Sequence, residues 1–119
     1  MAQNFKNLRV YKEAFILSKN LYLFFDNRKV PFRAREQLLA SASSICANLA
    51  EMGAFESKGQ IIQKLTTCIS EANETEFWLD MMQELNVLPK EKYSGFMEKL
   101  TMVRSMLFNL RKRINEIQK

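Results

Sequence analysis

The amino-acid sequence predicts an all-α protein, an antiparallel up-down four-helix bundle with long third and fourth helices. Three observations carry this expectation. From Tyr93 to Ile117 the residues Tyr93, Phe96, Leu100, Val103, Leu107, Leu110, Ile114 and Ile117 recur at alternating steps of three and four. Such spacing keeps an apolar stripe on one face of a long helix, which must be buried against other helices. Only three Gly and two Pro are present, too few for a turn-rich β protein. Pro31, Gly53 and Pro89, with Asn86, cut the chain into four periodic segments with short joints, and short joints between helices make antiparallel neighbours.

The first helix is expected from about Asn7 to Asp26. It carries two apolar stripes, Leu8, Tyr11, Phe15, Tyr22 and Phe25 on one side and Val10, Ala14, Leu17, Leu21 and Phe24 on another. One bundle contact cannot cover both. Pro31 suits a helix's first position, where its missing N–H costs nothing. The second helix then runs to Met52 with Leu38, Ala42, Ile45, Leu49 and Met52 as its stripe, and the small run Ala40-Ser-Ala-Ser-Ser44 predicts close approach to a neighbour. Gly53 reads as a C-terminal stop. Ser57-Lys-Gly-Gln60 fits a capping box opening the third helix, Lys58 to Leu85. Ile61, Leu65, Cys68, Ala72, Thr75, Leu79 and Met82 form its stripe. Asn86 ends it, and Pro89 starts the fourth helix, reaching Gln118.

The 119 residues are read as a single domain, 1–119, with 47% hydrophobic and 26% charged residues, ordinary for a globular protein. There is no histidine, which removes the commonest general base and metal ligand together. Cys46 and Cys68 lie in apolar helical patterns and read as reduced, buried small residues. The N-terminus has no apolar leader core, and no stretch approaches the roughly 20 apolar residues of a membrane span. The expectation is a cytoplasmic protein with no membrane partner.

Catalytic patterns are missing. A di-iron bundle needs Glu-x-x-His pairs, and no Ser-His-Asp or Cys-His arrangement can be built without histidine. Neither a Gly-rich phosphate loop nor a zinc-spaced cysteine set occurs. The protein is therefore expected to be no enzyme, with no cofactor, no metal and no small-molecule substrate.

Charge is segregated within a net +5. Residues 1–35 hold eight Lys or Arg against two acids, and residues 104–119 hold Arg104, Arg111, Lys112, Arg113 and Lys119 against Glu116. Residues 65–89 hold Glu71, Glu74, Glu76, Asp80 and Glu84 with no base. Such separation can steer a polyanion, or pair antiparallel helices. Candidate phosphate contacts on RNA or DNA are Arg104, Arg111, Lys112 and Arg113, with Arg9 and Lys12. Without interleaved exposed aromatics, they favour backbone contact over base reading. The alternative for the fourth-helix cluster is a solvated helix end that complements the helix dipole. A second constellation comprises Asn48 and Glu51 on helix two with Glu71, Asn73, Glu74 and Thr75 on helix three. It reads either as an interhelix polar network that sets register or as a ligand site. Phe24, Phe55, Phe77, Phe108, Met102 and Met106 lie off the main stripes, and this surplus predicts a homo-oligomer.

Four segments carry a family resemblance: Phe5-Lys-Asn-Leu-Arg-Val-Tyr11, Gln37-Leu-Leu-Ala-Ser-Ala-Ser-Ser-Ile-Cys-Ala-Asn-Leu-Ala-Glu51, the Ser57-Lys pair, and Glu71-Ala-Asn-Glu-Thr-Glu-Phe-Trp-Leu79. Together they resemble the bacterial four helix bundle proteins, whose founding members are encoded by intervening sequences within large-subunit ribosomal RNA genes. The resemblance implies an antiparallel bundle assembling as a homopentamer, with RNA or other nucleic-acid association. A related accessory protein of diversity-generating retroelements has the same bundle and works beside a reverse transcriptase and its RNA. The chain departs from the family pattern at Leu39 and Ala40, where relatives often carry Arg, at Cys46, and at Met52 before Gly53. The absence of those arginines leaves the basic ends of helices one and four, rather than helix two, as the better candidates for phosphate contact. The alternative is a structural or protein-interaction scaffold, with Glu76, Asp80 and Glu84 docking a basic partner.

Overall fold

A computed structural model describes residues 4–117, which form a short 3-10 turn, Phe5–Asn7, and four α-helices: α1 Arg9–Phe25, α2 Phe32–Met52, α3 Lys58–Glu84 and α4 Lys90–Asn115. The bundle is elongated, 50 × 21 × 20 Å. Each helix packs on its sequence neighbour and α4 closes back on α1, so the order around the bundle is α1-α2-α3-α4. One end therefore gathers the start of α1, the end of α2, the start of α3 and the end of α4. The predicted helix limits hold to within a few residues. Gln118, the expected end of the fourth helix, lies outside the described residues, as does Lys119.

Local chemistry explains the boundaries. Pro31 and Pro89 each sit just outside a helix, and their carbonyl oxygens accept the first helical bonds from Arg35 N–H (3.1 Å) and Tyr93 N–H (2.9 Å). Ser57 Oγ caps α3 by accepting from Gln60 N–H at 3.3 Å. Asn86 ends α3 in a left-handed conformation, φ 62°. There Val87 N–H donates to the Met82 carbonyl (3.1 Å) and Asn86 N–H to that of Gln83 (3.0 Å), which satisfies two orphan carbonyls. Asn27, φ 65°, does the same steric duty after α1. Gly53 stops α2 differently from the glycine stop expected. Its φ is −62°, which any residue can adopt, and the helix ends by tightening into i→i+3 bonds from Gly53, Ala54 and Phe55.

The core follows the predicted stripes. Leu38, Ala42, Ile45, Leu49 and Met52 of α2 are buried, as are Leu65, Cys68, Ala72, Thr75, Leu79 and Met82 of α3. On α4 the heptad is buried only through its middle, Phe96, Leu100, Val103 and Leu107. Leu110 and Ile114 are half-buried and Ile117 is exposed, because the neighbouring helices end near this level. Burying each of the central residues contributes roughly 1.5–3 kcal/mol before chain entropy is counted.

α2 and α3 share the most extensive contact. Their small residues allow close approach, and buried polar atoms there bond across the seam. Ser41 Oγ and Thr75 Oγ1 lie 2.9 Å apart. Each also reaches a carbonyl of its own helix, Leu38 at 3.0 Å and Glu71 at 2.8 Å. Cys68 Sγ donates to the Ile45 carbonyl at 3.6 Å. Both cysteines are free thiols, and burial pushes Cys46 up to about 11 and Cys68 up to about 12.

Of the two α1 stripes, Val10, Ala14, Leu17 and Leu21 face the core, joined by Phe25. Of the other stripe, Leu8 and Tyr11 are partly buried against the core, while Phe15 and Tyr22 are 51% and 49% exposed. No helix among the described residues is long and apolar enough to cross a membrane.

Candidate functional site

The six predicted phosphate-contacting residues do not form one patch. Arg104 lies mid-helix in α4, where it pairs with Glu76 at 2.7 Å and donates to Asn73 Oδ1 at 3.0 Å. The antiparallel register of α3 and α4 sets it against the acidic stretch, so its charge is already answered. Arg111 faces α3 and donates to Thr66 Oγ1 at 3.0 Å, with its guanidinium 5.1 Å from the Phe108 ring centre.

Lys112 and Arg113 project from the last turn of α4 toward the first turn of α1, where Arg9 stands. These three cations line a shallow groove of about 590 Å³ with Leu8, Val10, Met106, Asn109, Leu110 and Glu116. Lys12 is exposed one turn further along α1, outside the groove lining. Among the described residues, Arg9, Lys12, Lys112 and Arg113 form no ion pair. The helix dipole accounts for Lys112 and Arg113, since cations are favoured at a helix C-terminus. It opposes Arg9, which opens α1 with no acid in the first turn.

Nearby cations at the same end are engaged. Lys58 Nζ donates to the Ile117 carbonyl at 2.7 Å, and Lys64 bridges Glu51 at 2.6 Å and Asn48 Oδ1 at 3.2 Å. Glu13 accepts from Lys99, a bond that holds its carboxyl below the usual range despite some desolvation.

The second constellation separates as well. Asn48 and Glu51 meet through Lys64, and Asn48 also donates to Ser44, to its carbonyl at 2.8 Å and its Oγ at 3.0 Å. Asn73 belongs to the Arg104 contact, while Glu74 accepts from Trp78 Nε1 at 3.3 Å. Thr75 points into the α2–α3 seam toward Ser41. Glu71 is half-buried, and desolvation, with Glu74 beside it, raises its carboxyl above the ordinary range. These six residues thus serve several separate contacts rather than one network. Among the described residues, no group of three or more His, Cys, Asp or Glu could hold a metal ion.

A second groove escaped sequence reasoning. Ile62, Thr66, Phe108, Asn109, Arg111, Lys112 and Asn115 line a depression of about 480 Å³ between α3 and α4. Phe108 is 46% exposed there, so an aromatic ring does stand among the basic residues, contrary to expectation. The signal was legible: Phe108 precedes Arg111 by three, which places both on one helix face. Asn109 and Lys112 line both grooves and form the ridge between them.

Among solved structures, the chain is similar to a protein of unknown function from the S23 ribosomal protein family of Bacteroides thetaiotaomicron. The two share 30% identity with a TM-score of 0.80, covering 87% of this chain and 95% of that one. No curated protein matches the chain. The family described as 23S rRNA-intervening sequence protein matches residues 6–109, nearly the whole bundle. With that match and the shared helical architecture, the chain belongs to the 23S rRNA-intervening sequence protein family.

Proposed function

We propose that this protein is a non-enzymatic, self-associating cytoplasmic bundle that binds RNA, or nucleic acid more broadly, through phosphate contacts at its basic end. The observation that carries the reading is the convergence of Arg9, Lys112 and Arg113 on one groove, three cations against the single acid Glu116 and none of them in an ion pair among the described residues. A cation at the first turn of α1 works against the helix dipole, and the one acid it acts on within the helix, Glu13, is already engaged by Lys99, which leaves Arg9 available to an external anion. The description of the family as 23S rRNA-intervening sequence protein is consistent with this. Contacts of this kind carry no sequence information, so binding should be indifferent to sequence and steeply salt-dependent.

The test is binding of a labelled RNA at several salt concentrations by the wild type and by the triple variant Arg9→Gln, Lys112→Gln, Arg113→Gln. Loss of the three contacts should reduce the slope of log affinity against log salt by about 2 to 3. An unchanged affinity and slope in the triple variant overturns the assignment.

Self-association is supported by the outer face of α1. Phe5, Tyr11, Phe15 and Tyr22 line an apolar groove with Cys46 and Ala47 of α2. Aromatic surface of this extent is commonly covered by another subunit, and the family resemblance implies a ring of five. Light scattering of the wild type should give a multiple of 14.0 kDa. Phe15→Glu with Tyr22→Glu should return it to one copy, and a monomeric wild type at micromolar concentration overturns this part.

A further inference from the structure

We infer that the strand held at the basic end is single-stranded, with a base stacked on Phe108 in the groove between α3 and α4; this rests on the phosphate-binding reading above. The two grooves are adjacent and share Asn109 and Lys112 as their common wall. One groove offers three cations against one acid, Glu116, and the other offers a ring surface. That pairing of a charged track with an aromatic platform suits a strand whose bases are free of partners. In a duplex the bases are stacked on one another, and a side chain on a helix flank cannot reach their faces.

The platform is held in place. Arg111 is anchored on Thr66 Oγ1 at 3.0 Å, and its guanidinium lies 5.1 Å from the centre of the Phe108 ring. The guanidinium lies over one face of the ring and fixes it, so a base stacks on the ring's other face or on the guanidinium plane itself. Asn109 and Asn115 stand on the same groove and bring amide donors and acceptors to the edge of such a base. The amides suit any base in some orientation, so stacking here predicts tolerance of sequence rather than a code. Because Phe108 is 46% exposed, its burial does little for the fold, and its removal can be read on binding alone.

The experiment compares a single-stranded RNA oligomer with a blunt RNA duplex of equal length by fluorescence anisotropy, using wild type, Phe108→Ala and Phe108→Tyr. The expected result is about a tenfold weaker hold on the single strand by Phe108→Ala, as loss of one stacked base implies. Phe108→Tyr should bind like wild type, and duplex affinity should be the same in all three. The salt slope should not change in Phe108→Ala, since no phosphate contact is removed. Equal single-strand affinity in wild type and Phe108→Ala overturns this inference while leaving the phosphate reading standing. Failure of both RNAs to bind wild type overturns both readings. A drop from oligomer to monomer in Phe108→Ala, seen by light scattering, assigns the ring to a subunit contact and likewise overturns the inference.

Discussion

Arg104 and the pair Lys112–Arg113 come from the same helix, yet the bundle treats them in opposite ways. Arg104 sits where α4 passes the acidic stretch of α3 and is closed off by Glu76 and Asn73. Lys112 and Arg113 sit about two turns later, where the acids of α3 have run out and another cation, Arg9 of α1, lines the same groove. The lesson is that a basic run on a helix has no fixed meaning. Register against the neighbouring helix decides which charges hold the bundle together and which are offered to solvent. The acidic residues of α3 follow the same rule. Glu76 answers Arg104, and Asp80 accepts from Tyr93 at 2.6 Å, so two of three acids proposed for docking a basic partner already have internal work.

The largest effect should come from reversing charge at the open end. Each phosphate contact is worth roughly four- to sixfold near 0.15 M salt, so Arg9→Glu, Lys112→Glu and Arg113→Glu together should weaken RNA binding by about a hundredfold or more. Arg104→Gln should leave RNA affinity alone. If the Arg104 variant weakened binding as much as the triple reversal, the contrast between the two regions would collapse.

In the α2–α3 seam, Thr75→Val removes a buried hydroxyl bond while Ser41 keeps its Leu38 carbonyl. Denaturant unfolding should report a loss of about 1 kcal/mol. The contrast with Arg104→Gln sharpens the point. That pair is partly exposed, with side chains 20% and 37% accessible, and screening limits its loss to about 0.5–1 kcal/mol, less at high salt.

The smallest effect is at high pH. Tyr93 donates to Asp80, which keeps its proton on up to about 12 against an ordinary value of 10.0. Between those values the unfolded chain has released this proton and the folded one has not, so stability falls as pH rises through the window. Tyr93→Phe should remove that part of the alkaline loss, and an unchanged pH profile would show the bond to be idle.

Much of the bundle was legible beforehand because helix formation and its termination are local. Prolines, a Ser cap and an Asn in the left-handed conformation act within a few residues of themselves. The stripe of α2 needed no partner to be recognised. The candidate site was legible only in part. Lys112, Arg113 and Arg9 were visible as cations, but Arg9 lies about a hundred positions from the other two, and nothing local announces that they share a groove. Phe108 was visible as surplus apolar surface, but nothing near it in the chain announces that it and Arg111 share a groove with Thr66 of α3. Gly53 shows the reverse case, a local signal whose position was right and whose conformational reason was not.

From the chain alone came the four amphipathic segments, their limits, and the surplus of aromatic surface on the first helix. These follow from period, side-chain volume and backbone sterics, which each residue carries with it. Tertiary structure decided which α1 stripe turned inward, which acids met which bases, and that the polar residues of α2 and α3 serve separate contacts. Those outcomes depend on register between helices distant in sequence, and register is set by how whole faces interlock.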